Sequence, residues 1–215
     1  NMFVSRTENS IAPQWQLGTP VKANINSSFT APNCWVTQTA NAYSPNAVST
    51  VYSPYFDFST AVNTKVSFYQ NRAMGSNGAV RLQYTLNNGL NWFNLGTTGV
   101  VPPNGQFWYN AVQSGDAAWT GNSGGWVKSE LRLPSIFDYQ TAPVRFRFIL
   151  VASSAGGQGF AFDNFSIQLP PAKDAGVISI LSPAAAPTAQ PTNVTIQVQV
   201  KNFGRDTLYQ VPINY

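Results

Sequence analysis

Histidine is absent from this chain, cysteine occurs once, and the acidic residues number only eight. Without histidine there is no Ser-His-Asp triad, no Cys-His nucleophile pair and no imidazole metal site. A single cysteine, Cys34, excludes internal disulfides and four-cysteine zinc sites. Charged residues make up 9% of the chain, against about 25% in an ordinary soluble protein. No stretch approaches the ~20 apolar residues of a membrane helix. The opening Asn1-Met2-Phe3-Val4-Ser5-Arg6 lacks the charged and then apolar order of a signal peptide, so a removed signal or the interior of a longer chain is expected. What is present is apolar: 43% of the 215 residues are hydrophobic and 13% aromatic, enough to fill a core in one large or two small domains. The net charge of +4 reflects scarce acids, because the bases are scattered rather than gathered into a stripe. Nucleic acid is therefore not an expected partner.

The periodicity is that of strands. Apolar and polar residues alternate in Val80-Arg81-Leu82-Gln83-Tyr84-Thr85, in Val144-Arg145-Phe146-Arg147-Phe148 and from Val194 to Lys201. Alternation puts one apolar face toward a core, because successive side chains point to opposite sides of a sheet. Shorter strands are expected at Cys34 to Thr37, Val66 to Tyr69, Val127 to Leu133, Gly159 to Gln168 and Val177 to Leu181. Turn clusters such as Asn87-Asn88-Gly89 and Gly121-Asn122-Ser123-Gly124-Gly125 separate them, and no segment sustains a capped helical period. The fold class is all-β, a sandwich. A boundary falls at Pro170-Pro171, after all six tryptophans. The forty-odd residues beyond it are too few for a secure independent core, so the second domain is expected to be incomplete and the natural chain to continue past Tyr215.

Several segments in fixed order carry a family likeness: Trp15 to Pro20, Asn33 to Thr37, Ser53 to Ser59, Leu82 to Thr85 with Asn88 to Trp92, Ala118 to Gly121, Val144 to Phe148, and Gly159 to Phe165. This series, over most of residues 13 to 168, resembles the MAM-like jelly-roll domains of Bacteroidota surface proteins, relatives of the cleaved-adhesin modules of some peptidases. Asp174 to Val177, Pro183 and Val194 to Gly204 resemble the opening of a CARDB-type immunoglobulin-like domain. The resemblance implies an antiparallel jelly-roll β-sandwich over 1–169, then a partial immunoglobulin-like β-sandwich over 174–215. It further implies a non-catalytic adhesion or binding module of a large, type IX-secreted cell-surface protein, as in attachment or gliding. Surface glycans or other surface proteins, and the secretion machinery during export, are the implied partners. The alternative is a carbohydrate-binding accessory module of an exported hydrolase or peptidase.

Candidate site residues follow. Trp108 and Tyr109, after the Pro102 to Gln106 loop, and Trp126, after two glycines, are the candidate ligand platforms, whereas Trp15, Trp35, Trp92 and Trp119 are expected to be structural. No cofactor is required; calcium is the one the resemblance allows, with Asp163 as its ligand. The other reading of Asp163 is a carboxylate accepting backbone or arginine hydrogen bonds, since Asn77 stands where related domains carry an acid and only Glu8 is left to contribute. Asp57 is expected in a turn, and Glu130 in an outward row with Lys128 and Arg132. No facing carboxylate pair suited to glycoside hydrolysis is visible. Arg145 and Arg147 share a face and are expected to be solvated or paired with carboxylates, and Cys34 to be a buried thiol.

Overall fold

The computed structural model describes residues 3–7, 13–75, 78–152, 157–183 and 195–213. The chain divides into two compact units, Asn1–Gln168 and Leu169–Tyr215. The first is a sandwich of two antiparallel sheets. One sheet runs in the order β1 (Val4–Thr7), β4 (Val48–Phe58), β12 (Gln140–Ala152), β6 (Gly78–Thr85) and β7 (Phe93–Asn94). The other runs β2 (Trp15–Gly18), β3 (Cys34–Thr37), β13 (Gly159–Gln168), β5 (Lys65–Ala73), β11 (Val127–Arg132) and β8 (Gly105–Gln106). From β3 to β6, and again from β11 to β13, successive strands switch sheets, so each apolar face finds its opposite layer in the jelly-roll manner. A small hairpin of β9 (Ala111–Gln113) and β10 (Asp116–Ala118) lies in the excursion between β7 and β11.

Alternation does what it should along β12. Val144, Phe146, Phe148, Leu150 and Ala152 are buried, while Arg145, Arg147, Ile149 and Val151 between them are only partly so. Phe148 stacks on Phe162 of β13 at 4.1 Å and meets Phe68 of β5 edge-on at 5.0 Å, which ties the two layers together.

Strand β4 is longer than its sequence suggests, because Pro54 interrupts the pattern. The structure accommodates the proline in a β-bulge: Arg145 faces Tyr55 and Arg147 faces Tyr52, leaving Ser53 and Pro54 opposite Phe146 alone. The Phe146 amide then donates to Ser53 Oγ at 2.9 Å, so this ladder donor is satisfied within the bulge. Asp57 is consequently inside the strand rather than in a turn, with its carboxylate accepting the Ser59 amide at 2.8 Å.

The second unit has one described sheet, an antiparallel pair of β14 (Ala175–Ser182) and β15 (Gln197–Asn202) with two register shifts. The strand expected from Val194 begins at Gln197; Val194 itself lies outside the described residues. Asn202 Oδ1 accepts the Gly204 amide at 2.9 Å and closes the strand.

Candidate functional site

Two of the expected platform residues belong to the core. Trp108 and Tyr109 are 4% and 3% exposed, so neither offers a ring to a ligand. Tyr109 Oη donates to the Leu82 carbonyl at 2.8 Å and accepts the Leu82 amide at 3.0 Å. Trp108 Nε1 donates to the Leu95 carbonyl at 2.8 Å. Both rings pack on Trp119, at 5.1 and 4.5 Å. The reason is a backbone reversal at Phe107, whose φ of 46° turns that ring outward and sends the next two inward. Phe107 is the exposed aromatic of this loop.

Trp126 is half-buried over a second small apolar cluster of Ile25, Cys34, Val36, Ala73 and Ala161, on the outward side of the six-stranded sheet. Its Nε1 donates to the Ser27 carbonyl at 3.3 Å and its ring meets Phe29, which is itself stacked on Tyr69 at 3.5 Å. The indole thus holds down the loop between β2 and β3.

Asp163 does the same work from β13. Its Oδ2 accepts the Thr30 amide at 2.8 Å and its Oδ1 the Asn164 amide at 2.8 Å, while Asn164 Nδ2 donates to Thr30 Oγ1 at 2.8 Å. Among the described residues no three His, Cys, Asp or Glu side chains gather to hold a metal. Calcium takes six to eight oxygens, whereas both carboxylate oxygens of Asp163 already accept backbone amides. Glu8 and Asn77 lie outside the described residues.

From the same loop, Lys22 Nζ donates to the Thr37 carbonyl at 2.9 Å and to the Gln158 carbonyl. Burial lowers this amine to about 8, against a smaller upward pull from Cys34. Burial, and after it the charge of Asp163, pushes the Cys34 thiol up to about 12, which makes it a poor nucleophile. Glu130 sits between Lys128 at 2.9 Å and Lys65 at 3.0 Å, and the Lys128 hydrogen bond, with Lys65, holds its carboxyl below the usual range. Arg132 donates instead to Asn63 Oδ1.

A cavity of about 420 Å³ is lined by Phe3, Cys34, Trp35, Pro54, Phe56 and the Phe162 to Phe165 stretch. Trp35 contributes a buried indole N–H that finds no acceptor among the described residues.

The arrangement that sequence reading missed is the outward face of the five-stranded sheet. Register places its side chains in three rows. Thr85, Arg145 and Tyr55 form one; Asn94, Gln83, Arg147, Tyr52 and Val4 form the next; Arg81, Ile149, Thr50 and Arg6 form the third. Arg147 lies 4.3 Å from the ring centre of Trp92, which leans over the sheet from the loop before β7, and its Nε donates to Gln83 Oε1 at 2.8 Å. Gln83 Nε2 in turn donates to Asn94 Oδ1 at 2.9 Å. Arg145 lies 4.9 Å from the ring centres of both Tyr52 and Tyr55. Trp92, expected to be structural, is half-buried on this outward face, packed against Tyr52 and Arg147. Alternation did put Arg145 and Arg147 on one face. The tyrosines that meet them come from a strand whose pattern was hidden by Pro54.

No protein-family model matches the chain, and no curated protein matches it. Among solved structures, the chain is similar to TmCBM61 in complex with β-1,4-galactotriose, with 9% identity and a TM-score of 0.46 over 78% of this chain and 88% of that one. It is also similar to the K1 cleaved adhesin domain of Lys-gingipain from Porphyromonas gingivalis W83 (11% identity, TM-score 0.45, 78% of this chain and 90% of that one). The K3 domain of the same protein aligns at 14% identity with a TM-score of 0.45, over 78% of this chain and 91% of that one.

Proposed function

We propose that this chain is a non-catalytic extracellular binding module, part of a large type IX-secreted surface protein of a Bacteroidota cell, and that it binds surface glycans in attachment or gliding. The single observation that carries the binding role is the outward face of the five-stranded sheet, where arginine, tyrosine, tryptophan and amide side chains are held in register. Aromatic rings and fixed amides are the groups that meet sugar rings and hydroxyls. The carboxylates support the non-catalytic part: Asp57, Asp138 and Asp163 each accept backbone amides, and Glu130 is bound by two lysines. None of these is left poised as an acid or base.

The test is a glycan array probed with the soluble chain beside its Tyr55→Ala and Trp92→Ala variants. Binding by the parent that both variants weaken is the expected result; a parent that binds no glycan removes this reading. A second reading, a carbohydrate-binding accessory module of an exported hydrolase or peptidase, uses the same face. A catalytic domain in the same gene product favours it, and further sandwich repeats favour the adhesin.

A further inference from the structure

Arg145, on the outward face, is held in place yet keeps donors unused. Its Nε donates to the Ser53 carbonyl at 2.8 Å, a group turned toward it by the bulge at Ser53 and Pro54. Its guanidinium carbon lies 4.9 Å from both tyrosine ring centres. Its two terminal nitrogens meet no carboxylate, carbonyl or amide oxygen among the described residues. Arg81, by comparison, is buried under the β9–β10 hairpin, with Asp116 at 3.8 Å and the Gln113 carbonyl as acceptor. A guanidinium already held by one hydrogen bond and two rings has lost most of its rotamer freedom before any ligand arrives. Its open edge is a planar fork of donors, which is the shape that pairs with a carboxylate through two parallel hydrogen bonds.

The surroundings narrow the ligand. Tyr55, in the same row, is 47% exposed and leaves part of its ring to solvent. One row away, Arg147, Gln83 and Asn94 form a chain of hydrogen bonds that fixes the amides in place. A protein partner of ordinary affinity needs a desolvated apolar centre. This face instead offers rings covered by guanidinium groups, fixed amides and, at Arg145, an open fork held in place, which suit a hydroxylated ring bearing an acid.

We infer that the outward face binds an acidic polysaccharide, with Arg145 taking a uronate carboxylate in a bidentate pair and Tyr55 packing against the sugar that carries it. The inference rests on the binding-module reading above and adds the charge of the ligand and the residue that reads it.

The experiment measures binding of the soluble chain to polygalacturonate, to neutral β-1,4-galactan and to poly-glutamate, by calorimetry at two salt concentrations, with thermal melts of every variant. The expected result is retention of polygalacturonate, with neutral galactan and poly-glutamate each weaker by about tenfold or more. Arg145→Gln is expected to abolish that preference, and Arg145→Lys to lose most of it, because an ammonium cannot form the fork. Arg205→Gln, in the second unit, is the charge control and leaves binding unchanged. Arg145→Lys keeps the charge and decides the matter if Arg145→Gln melts early. Equal binding of neutral galactan and polygalacturonate, unaffected by Arg145→Gln, overturns the acidic ligand while the binding module stands. No polysaccharide bound by the parent overturns both. Poly-glutamate bound as tightly as polygalacturonate replaces the polysaccharide with an acidic protein, and an equal loss in Arg205→Gln reduces the effect to bulk charge; either result overturns the inference.

Discussion

Strand β12 in the first unit and strand β14 in the second are both rich in large apolar residues, yet they meet opposite fates. Along β12, Val144, Phe146, Phe148 and Leu150 are wholly buried at 0% exposure. Along β14, Val177, Ile178, Ile180 and Leu181 stand 51%, 47%, 65% and 57% exposed. Both strands pair with an antiparallel neighbour, so hydrogen bonding is not the difference. The difference is the second layer: β12 faces β5 and β13 across a filled core, while the described part of the second unit is a single hairpin. A sheet cannot hide an apolar face alone, whatever its pattern.

That contrast can be broken or sharpened by substitution. The largest effect is expected from Trp108→Ala, which removes a buried ring packed on Phe68, Tyr109 and Trp119. Urea unfolding followed by tryptophan fluorescence should show a loss of about 3–5 kcal/mol. A loss below 1 kcal/mol would mean that this loop is not part of the core. Next comes Gly159→Ala. The residue has φ of 104°, and an added Cβ would strike Thr37 Oγ1, the acceptor of the Phe160 amide. A cost of about 1–3 kcal/mol is expected from the same measurement.

Smaller effects come from the buried amine and thiol. Lys22 is depressed from 10.5 to about 8, so between those values the unfolded chain holds more protons and stability rises with pH. Cys34 is raised from 9.0 to about 12, so in that window the folded chain holds more protons and stability falls. The two together predict a gain of roughly 1 kcal/mol between pH 8 and 9, near cancellation above it, and a loss beyond 10.5. Melting of Lys22→Met should lack the rise, and a parent curve flat from pH 7 to 10 would count against it. Ile180→Ala, in the hairpin, should change stability by no more than about 0.5 kcal/mol when followed by circular dichroism. A core-sized loss there would show that something covers β14. Excess calcium and excess chelator should give the same melting curve, since both Asp163 oxygens are already taken by backbone amides.

Much of the sandwich was legible as a pattern. Period-two alternation located β6, the centre of β12 and the body of β15, because it follows from backbone geometry and needs no partner. Strand β4 was not legible, since Pro54 reads as a breaker until a bulge and Ser53 Oγ are seen to absorb it. Trp108 and Tyr109 looked like loop aromatics for a similar reason. One residue with positive φ, Phe107, reverses which rings face inward, and a linear pattern cannot register such a reversal.

Composition and local period were enough to settle that the chain lacks histidine chemistry and disulfides, that it is built of strands, and that Arg145 and Arg147 share a face. Tertiary structure alone decided what that face meets. Trp92 reaches Arg147 from a loop, and Tyr52 and Tyr55 reach Arg145 across a bulged ladder. Side-chain direction along a strand is set by neighbouring residues, whereas strand partners and register are set by residues dozens of positions away. A binding surface is made from the second kind of information.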